Sequence, residues 1–294
     1  MVGTQLALPA DLESAPCWAC TSNLEPQAVN LALTRPILEL VLELKGRGAI
    51  VAGARRVGST LVSRLAREGV NIAIVYRRSH DEAEALAEEA RKLTKTVITL
   101  QADLTNEDDV ARVVQEARSG LGDLSYCINL AYDYPRVSVD DLDAAAWDKG
   151  MTGARGTFLM ASHASRVMAE NTGDTKGHLI FFGDWAAEET PYKDYLPYLT
   201  GKAAVHFMTR AFAVELASKG ILVNAILPGP TERPPDLSER GWQIALEQTP
   251  LLRESSADDI AEIVTTLLKL ETITGETIRV DSGRHIAGTA RRDT

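Results

Sequence analysis

Three cysteines (Cys17, Cys20 and Cys127) in 294 residues are too few for a disulfide framework, and a reducing cytoplasm is the expected compartment. No apolar run reaches the ~18 residues that suggest a membrane span. The N-terminus lacks the basic start and apolar stretch of a secretory signal. Low-complexity tracts that would argue for bulk disorder are missing too. Positive charge is scarce: 31 Lys and Arg against 41 Asp and Glu leave a formal charge of −10. That balance excludes the broad basic footprint of a nucleic-acid or anionic-membrane binder, while local arginine clusters can still hold a small anion. Metal ligation finds little support. The five histidines show no ligand spacing; His163 and His206 read as ordinary helix packing and His285 as a surface residue. Cys17-Trp-Ala-Cys20 has no second Cys or His pair and reads as incidental.

What remains is a chain rich enough in apolar residues, 45%, to build a large core. Residues 1–43 stand apart: they hold two of the cysteines and four prolines (Pro9, Pro16, Pro26, Pro36) before the alternating run Leu38, Leu40, Leu42, Leu44. A loosely ordered extension ending in a short strand or helix is expected there, and periodicity does not choose between the two. Residues 44–294 are expected to form a single domain. From Gly48 onward, strand-like runs (Ala49–Ala52, Asn71–Tyr76, Thr96–Gln101, Leu124–Asn129, His178–Phe182, Ile221–Leu227, Glu276–Val280) alternate with helical patterns (Ser59–Glu68, Asp81–Leu93, Glu107–Arg118, Lys202–Ser218). Strands separated by helices of this length imply crossovers and a parallel sheet covered on both faces. The expected fold is α/β, a Rossmann-type doubly wound parallel sheet of about seven strands, an arrangement that holds dinucleotides.

Gly53-Ala-Arg-Arg-Val-Gly58 follows the first strand and opens a helix, where exposed backbone N–H groups suit a pyrophosphate. The second strand ends Tyr76-Arg77-Arg78-Ser79, where an NAD reader places an acidic side chain for the ribose 2′-hydroxyl. Guanidinium groups there, together with Arg55 and Arg56, suit a 2′-phosphate instead, so NADP(H) is the expected cofactor; the alternative is arginines that only solvate a surface. Tyr198-Leu-Thr-Gly-Lys202 places a phenol and an ammonium on one helical face, with the helix expected to open at Lys202. A phenol alone titrates near ~10, and a neighbouring ammonium is expected to lower that value toward the working range of a proton donor.

Taken together, these motifs resemble the short-chain dehydrogenase/reductase family, over about Leu44 to Ile286. Leu44-Lys-Gly-Arg-Gly-Ala-Ile-Val-Ala-Gly53 is similar to that family's approach to Thr-Gly-x3-Gly-x-Gly. It departs in Ala52 for Thr, a loop one residue shorter, and Ser59 after the last glycine. The resemblance implies that the dinucleotide lies against Gly53, Arg55, Arg56, Val57 and Gly58, then Tyr76, Arg77 and Arg78. It would go on past Asp103 and Leu104, Asn129 and Ala131, to Tyr198, Lys202, Pro228, Gly229 and Thr231. Asn129-Leu-Ala-Tyr132 resembles the family's Asn-Asn-Ala-Gly, with Leu130 and Tyr132 substituted. Lys202 would also hold the nicotinamide ribose.

The family's serine at the preceding strand end is replaced by Asp184 in Phe182-Gly-Asp184-Trp185. An aspartate there resembles the pteridine reductase branch, in which the carboxylate works with the tyrosine in proton delivery; a helix cap is the plainer alternative. Tyr134 and Trp185 would supply flat walls for a heterocycle, or simply pack at the rim. The family's relay Asn is missing, with Gly153 or Ala154 in its place on a helix expected to end at Arg155–Phe158. Ile244–Leu252 is expected to be a mobile lid. The implied activity is hydride transfer to a small carbonyl or imine substrate, a pterin-like heterocycle first, with catalytic Asp184, Tyr198 and Lys202. A 3-oxoacyl or general carbonyl reductase is the alternative within the class, and a catalytically weak dinucleotide-binding sensor or scaffold the alternative outside it. A homodimer or homotetramer through helices around Trp147–Glu170 and Lys202–Ser218 is also implied.

Overall fold

The computed structural model describes residues 42–188, 190–233 and 237–287. Seven strands run β1 (Gly48–Ala52), β2 (Asn71–Tyr76), β3 (Val97–Gln101), β4 (Tyr126–Asn129), β5 (Gly177–Phe182), β6 (Ile221–Pro228) and β7 (Thr277–Val280). Between them lie α1 (Val57–Arg67), α2 (His80–Arg91), α3 (Glu107–Leu121), α4 (Ala144–Met168), α5 (Leu196–Leu216), α6 (Glu239–Glu247) and α7 (Ala257–Leu268). The sheet order is β3-β2-β1-β4-β5-β6-β7, every pairing parallel. The chain winds outward from β1 in one direction, then returns to β4 and winds in the other. The crevice at that reversal, beyond the strands' carboxyl ends, is where such sheets hold ligands.

Both faces are buried, so successive strand residues enter different cores. Ile50 and Ala52 of β1 pack with α3, α4 and α5. Ala49 and Val51 pack with α1, α2 and α7. Local signals agree with this layout. Asn106 caps α3 by accepting from Asp109 N–H at 3.1 Å, three acidic residues fill the first turn, and Gly122 ends the helix at φ 87°.

Several helix limits differ from the sequence reading by a few residues, and two differ by more. Helix α5 begins at Leu196 rather than Lys202, because Pro197 sits in its first turn, where the missing N–H would have no intrahelical partner. Helix α4 runs on past Phe158 to Met168. The extension at 1–43 lies outside the described residues except Leu42 and Glu43, which belong to neither helix nor strand; Cys17 and Cys20 also lie outside them. No described helix is long and apolar enough to cross a membrane.

His178 on β5 is 1% exposed beside Tyr126, and neither ring nitrogen has a hydrogen-bond partner among the described residues. Burial pulls its pKa down to about 4. The unfolded chain accepts a proton from about pH 6.5 downward while the folded chain resists it, so stability is lost as pH falls from 6.5 toward 4. The full effect of such a shift is about 3 kcal/mol. The stability gap between parent and His178→Leu in urea melts is therefore expected to change steadily across that window, in favour of the variant at low pH; a constant gap would contradict the assignment.

Candidate active site

Beyond the carboxyl ends of β1, β2 and β3 lies a cavity of about 290 Å3. Its walls include Gly53 and Arg55 of the glycine loop, Tyr76, Arg77 and Arg78 at the end of β2, and Asp103 and Leu104 after β3. Ala131, Tyr132 and Gly153 close the far side. The glycine loop needs its glycines. Gly53 has φ 86°, and a Cβ there would stand 2.6 Å from Ala131 N; a Cβ on Gly58 would overlap the Gly53 carbonyl. The shortened loop therefore closes and leaves the cavity beside it open.

The arginines divide. Arg77 and Arg55 line the cavity in loose pairs with Asp133 (3.5 Å) and Glu82 (3.8 Å). Arg78 lines it with no carboxylate within 4.0 Å among the described residues. Arg56 departs from expectation. It is not a cavity wall but reaches the loop after β6, where it donates to Glu232 Oε2 at 2.8 Å and to the Glu232 carbonyl at 2.7 Å. This pair joins the glycine loop to the loop after β6. Val57 and Gly58 open α1 as expected.

Other expected contacts have structural partners. Asn129 accepts from Ala131 N–H at 3.1 Å and donates to Thr157 at 3.0 Å, which fixes the loop after β4. Asp103 accepts from the Thr105 N–H and hydroxyl, and these bonds hold its carboxyl below the usual range. Past β6, Pro228 accepts from Trp185 N–H at 3.4 Å, Gly229 lies too close to Asp281 for a side chain, and Thr231 donates to the Gly229 carbonyl.

Asp184, Tyr198 and Lys202 come together. The Tyr198 hydroxyl donates to Asp184 Oδ2 at 2.8 Å, and Lys202 Nζ lies 5.8 Å over the Tyr198 ring while donating to the Phe182 carbonyl at 2.8 Å. All three are at most 9% exposed. The titration differs from the sequence expectation. Burial first, then the Asp184 carboxylate, pushes the Tyr198 phenol well up rather than down. Burial lifts the Asp184 carboxyl, against hydrogen bonds from Ala186 N–H and Tyr198. Burial draws Lys202 down to about 8. The physical reason is that burial outweighs the ammonium, which makes no hydrogen bond to the phenol, and the hydrogen-bonded carboxylate adds to it. A dry phenol beside a carboxylate keeps its proton, the state needed by a group that gives one up.

The sequence reading named Tyr134 and Trp185 around the site and missed Tyr192, Tyr195 and His206. Tyr192 and Tyr195, spaced three apart with Tyr198, enclose the site together with Tyr134; that spacing was the available signal. Tyr134 stacks on Tyr195 at 4.4 Å and meets Tyr198 edge-on at 4.7 Å. Trp185 does not offer the open wall expected of it: it is 8% exposed, flanked by Tyr192 and covered by Arg284 at 4.9 Å. His206, read as ordinary packing, has Nε2 accepting from Asp184 N–H at 3.2 Å and Nδ1 3.1 Å from Glu188, so it braces the backbone of Asp184. Ile244–Leu252 comprises the end of α6 and a turn tied to residues 282–284 by Leu251 N–H to Ser282 and Arg284 to Gln248.

The sequence profile described as Enoyl-(Acyl carrier protein) reductase matches residues 51–285. The chain belongs to the short-chain dehydrogenase/reductase family of oxidoreductases. It is 30% identical over 246 residues to the 3-oxoacyl-[acyl-carrier-protein] reductase FabG of Staphylococcus aureus, covering 82% of this chain and 98% of that one. Among solved structures, a short-chain dehydrogenase/reductase from Serratia marcescens matches with TM-score 0.76 at 28% identity, over 83% of this chain and all of the other. FolM alternative dihydrofolate reductase 1 from Brucella canis, complexed with NADP, matches with TM-score 0.74 at 28% identity, over 83% and 96%.

Of the two candidates for the relay position, Gly153 faces the groove and Ala154 is buried in the core. A Cβ on Gly153 would collide with the Tyr132 ring, and one on Gly201 with the Tyr132 hydroxyl, which donates to the Gly150 carbonyl at 3.2 Å. Gly153→Asn is accordingly expected to cost about 1–3 kcal/mol by overpacking. Adding Tyr132→Gly should recover most of it, a strongly non-additive cycle readable from urea midpoints. A neutral Gly153→Asn would show that this packing is not limiting.

Proposed function

We propose that the protein is an NADPH-dependent reductase of a small carbonyl or imine substrate, with a pterin-like flat heterocycle as the first choice. The observation that carries the reading is the buried Tyr198 hydroxyl, kept protonated on Asp184 beside Lys202. When bound, NADPH supplies the hydride. Tyr198 gives its proton to the developing anion, Asp184 orients that proton and takes part in its replacement, and Lys202 holds the nicotinamide ribose. Arg78, Arg77 and Arg55 hold the adenosine 2′-phosphate, supported by the cavity they line and by the NADP bound in the FolM relative.

The outer face of Tyr134, which is 46% exposed while its inner face stacks on Tyr195, suits a flat ring. The likeness to FolM, named as a dihydrofolate reductase, points the same way. A 3-oxoacyl substrate is the second reading, supported by the FabG relatives. Exposed Trp147 and Phe158 on α4, with Leu196, Phe207 and Val214 on α5, support assembly of two or four copies through these helices. The free, buried Cys127 supports a cytoplasmic setting.

Tyr198→Phe is expected to lower turnover by about 10²–10⁴-fold, the usual share of a positioned proton donor, with NADPH still quenching protein fluorescence. NADPH consumption with a dihydropterin, 2,3-butanedione and an acetoacetyl thioester ranks the substrates; no consumption with any of them, at any pH, would overturn the reading. Arg78→Ala should weaken NADPH roughly tenfold or more and leave NADH nearly unchanged, because only the former loses a charge-assisted bond. Equal weakening of both would remove the 2′-phosphate assignment.

A further inference from the structure

A proton donor must be recharged, and Tyr198 is only 6% exposed. Two directions lead away from its hydroxyl. Toward Lys202 the Tyr132 ring lies 4.0 Å over the ammonium and fills the space that a side chain on Gly153 would need; of the other α4 residues at the groove, Gly156 has no side chain and the Thr152 hydroxyl donates back to the Lys149 carbonyl of its own helix. Toward Asp184 the way is a run of hydroxyls. Asp184 Oδ2 accepts from Tyr198 at 2.8 Å and also from Tyr192 at 3.3 Å. The Tyr192 hydroxyl in turn accepts from Tyr134 at 3.1 Å, and Tyr134 is 46% exposed.

We propose that Tyr134, Tyr192 and Asp184 form the proton conduit that recharges Tyr198 from solvent, on the side away from Lys202. The inference rests on Tyr198 being the proton donor. After Tyr198 has lost its proton to product, the Tyr192 O–H breaks as its proton moves to Asp184 Oδ2, and the same proton goes on from Oδ2 to the Tyr198 oxygen. Tyr192 is refilled from the Tyr134 hydroxyl and Tyr134 from water. One proton is taken from solvent per turnover, no electrons move, and the groups end as they began. Because both phenols meet the same carboxyl oxygen, the proton arrives and leaves at one atom and the carboxyl need not rotate. The shifts have to be concerted: burial raises the Tyr192 and Tyr134 phenols, so neither is a resting place for negative charge, whereas Asp184 is. The remaining groups around the carboxyl do not compete for this path. Lys202 donates to the Phe182 carbonyl, and His206 meets the Asp184 backbone, its other nitrogen beside Glu188.

The conduit is tested without substrate or cofactor by tyrosine labelled with carbon-13 at Cζ, whose signal splits in mixed light and heavy water according to hydroxyl exchange. The Tyr198 signal is assigned by its loss in Tyr198→Phe. Tyr192→Phe is expected to slow Tyr198 exchange roughly tenfold or more, since exchange must then await an opening of the site. Tyr134→Phe, at a half-exposed ring whose loss the fold tolerates, should slow it several-fold and keeps the test valid if the first variant does not fold. Exchange within about twofold of the parent in a folded variant of either kind overturns the conduit, since such a change is smaller than one lost hydrogen bond produces. With NADPH and 2,3-butanedione, the same variants should lower kcat and raise its solvent deuterium isotope effect at unchanged KM. Absence of any turnover would count against the reductase reading, and the exchange result alone then decides the conduit.

Discussion

The site is organised by one buried hydrogen bond, from the Tyr198 hydroxyl to the Asp184 carboxylate at 2.8 Å. A carboxylate taken out of water is costly unless donors surround it. Here the donors are Ala186 N–H, Tyr198 and Tyr192, while His206 accepts from the Asp184 N–H and keeps the strand end from turning away. The same desolvation that lifts the carboxyl lifts the phenol, so the resting pair holds the phenolic proton. A serine at this position would add no charge. The aspartate instead opposes ionisation of the tyrosine, which suits proton donation to a reduced product better than proton abstraction from an alcohol.

The fold delivers these groups by register. Parallel pairing of β5 with β6 places Phe182 beside Ile226, so Asp184 and the Pro228–Thr231 turn leave the sheet at the same edge. Helix α5 then returns across that edge with Tyr198 in its first turn and Lys202 one turn on. An earlier helix start thus matters to function: a tyrosine in a loop would have a free backbone, whereas one inside α5 is set relative to Lys202 by the helix itself.

The strands were legible because both faces of the central strands are buried and their runs are nearly all apolar, Ala49–Ala52 entirely and Ile221–Leu227 but for Asn224. The Tyr198–Lys202 pair was readable from its four-residue spacing, whereas Asp184 came from the family resemblance at its strand end; the structure brings the three together. What spacing could not carry was the balance of forces once the groups were buried. Lys202, four positions after Tyr198, suggested a lowered phenol, but the ammonium's hydrogen bond goes to a backbone carbonyl and burial decides the sign. Arg56 was misplaced for a similar reason: its partner Glu232 lies 176 residues away. Five of the seven tyrosines, Tyr132, Tyr134, Tyr192, Tyr195 and Tyr198, converge on one site in a chain that is only 5% aromatic. Composition recorded their scarcity and not their concentration.

Two departures that the family resemblance implies, read one at a time, look like losses: Tyr132 in place of the motif's glycine, and Gly153 or Ala154 in place of its relay asparagine, of which Gly153 is the one that faces the groove. In space they are a single exchange. The ring that Tyr132 adds occupies the room that a side chain on Gly153 would need, Gly150 receives its hydroxyl, and Gly201 leaves the gap for it. The ring then rests on the Lys202 ammonium at 4.0 Å, a contact that steadies a desolvated cation while excluding water from its flank. The ring leaves neither a cavity nor a stranded charge at this point, and cavities in a packed interior are costly. With the ring against the lysine flank, the carboxylate side of Tyr198 is the one in hydrogen-bonded contact with the half-exposed Tyr134.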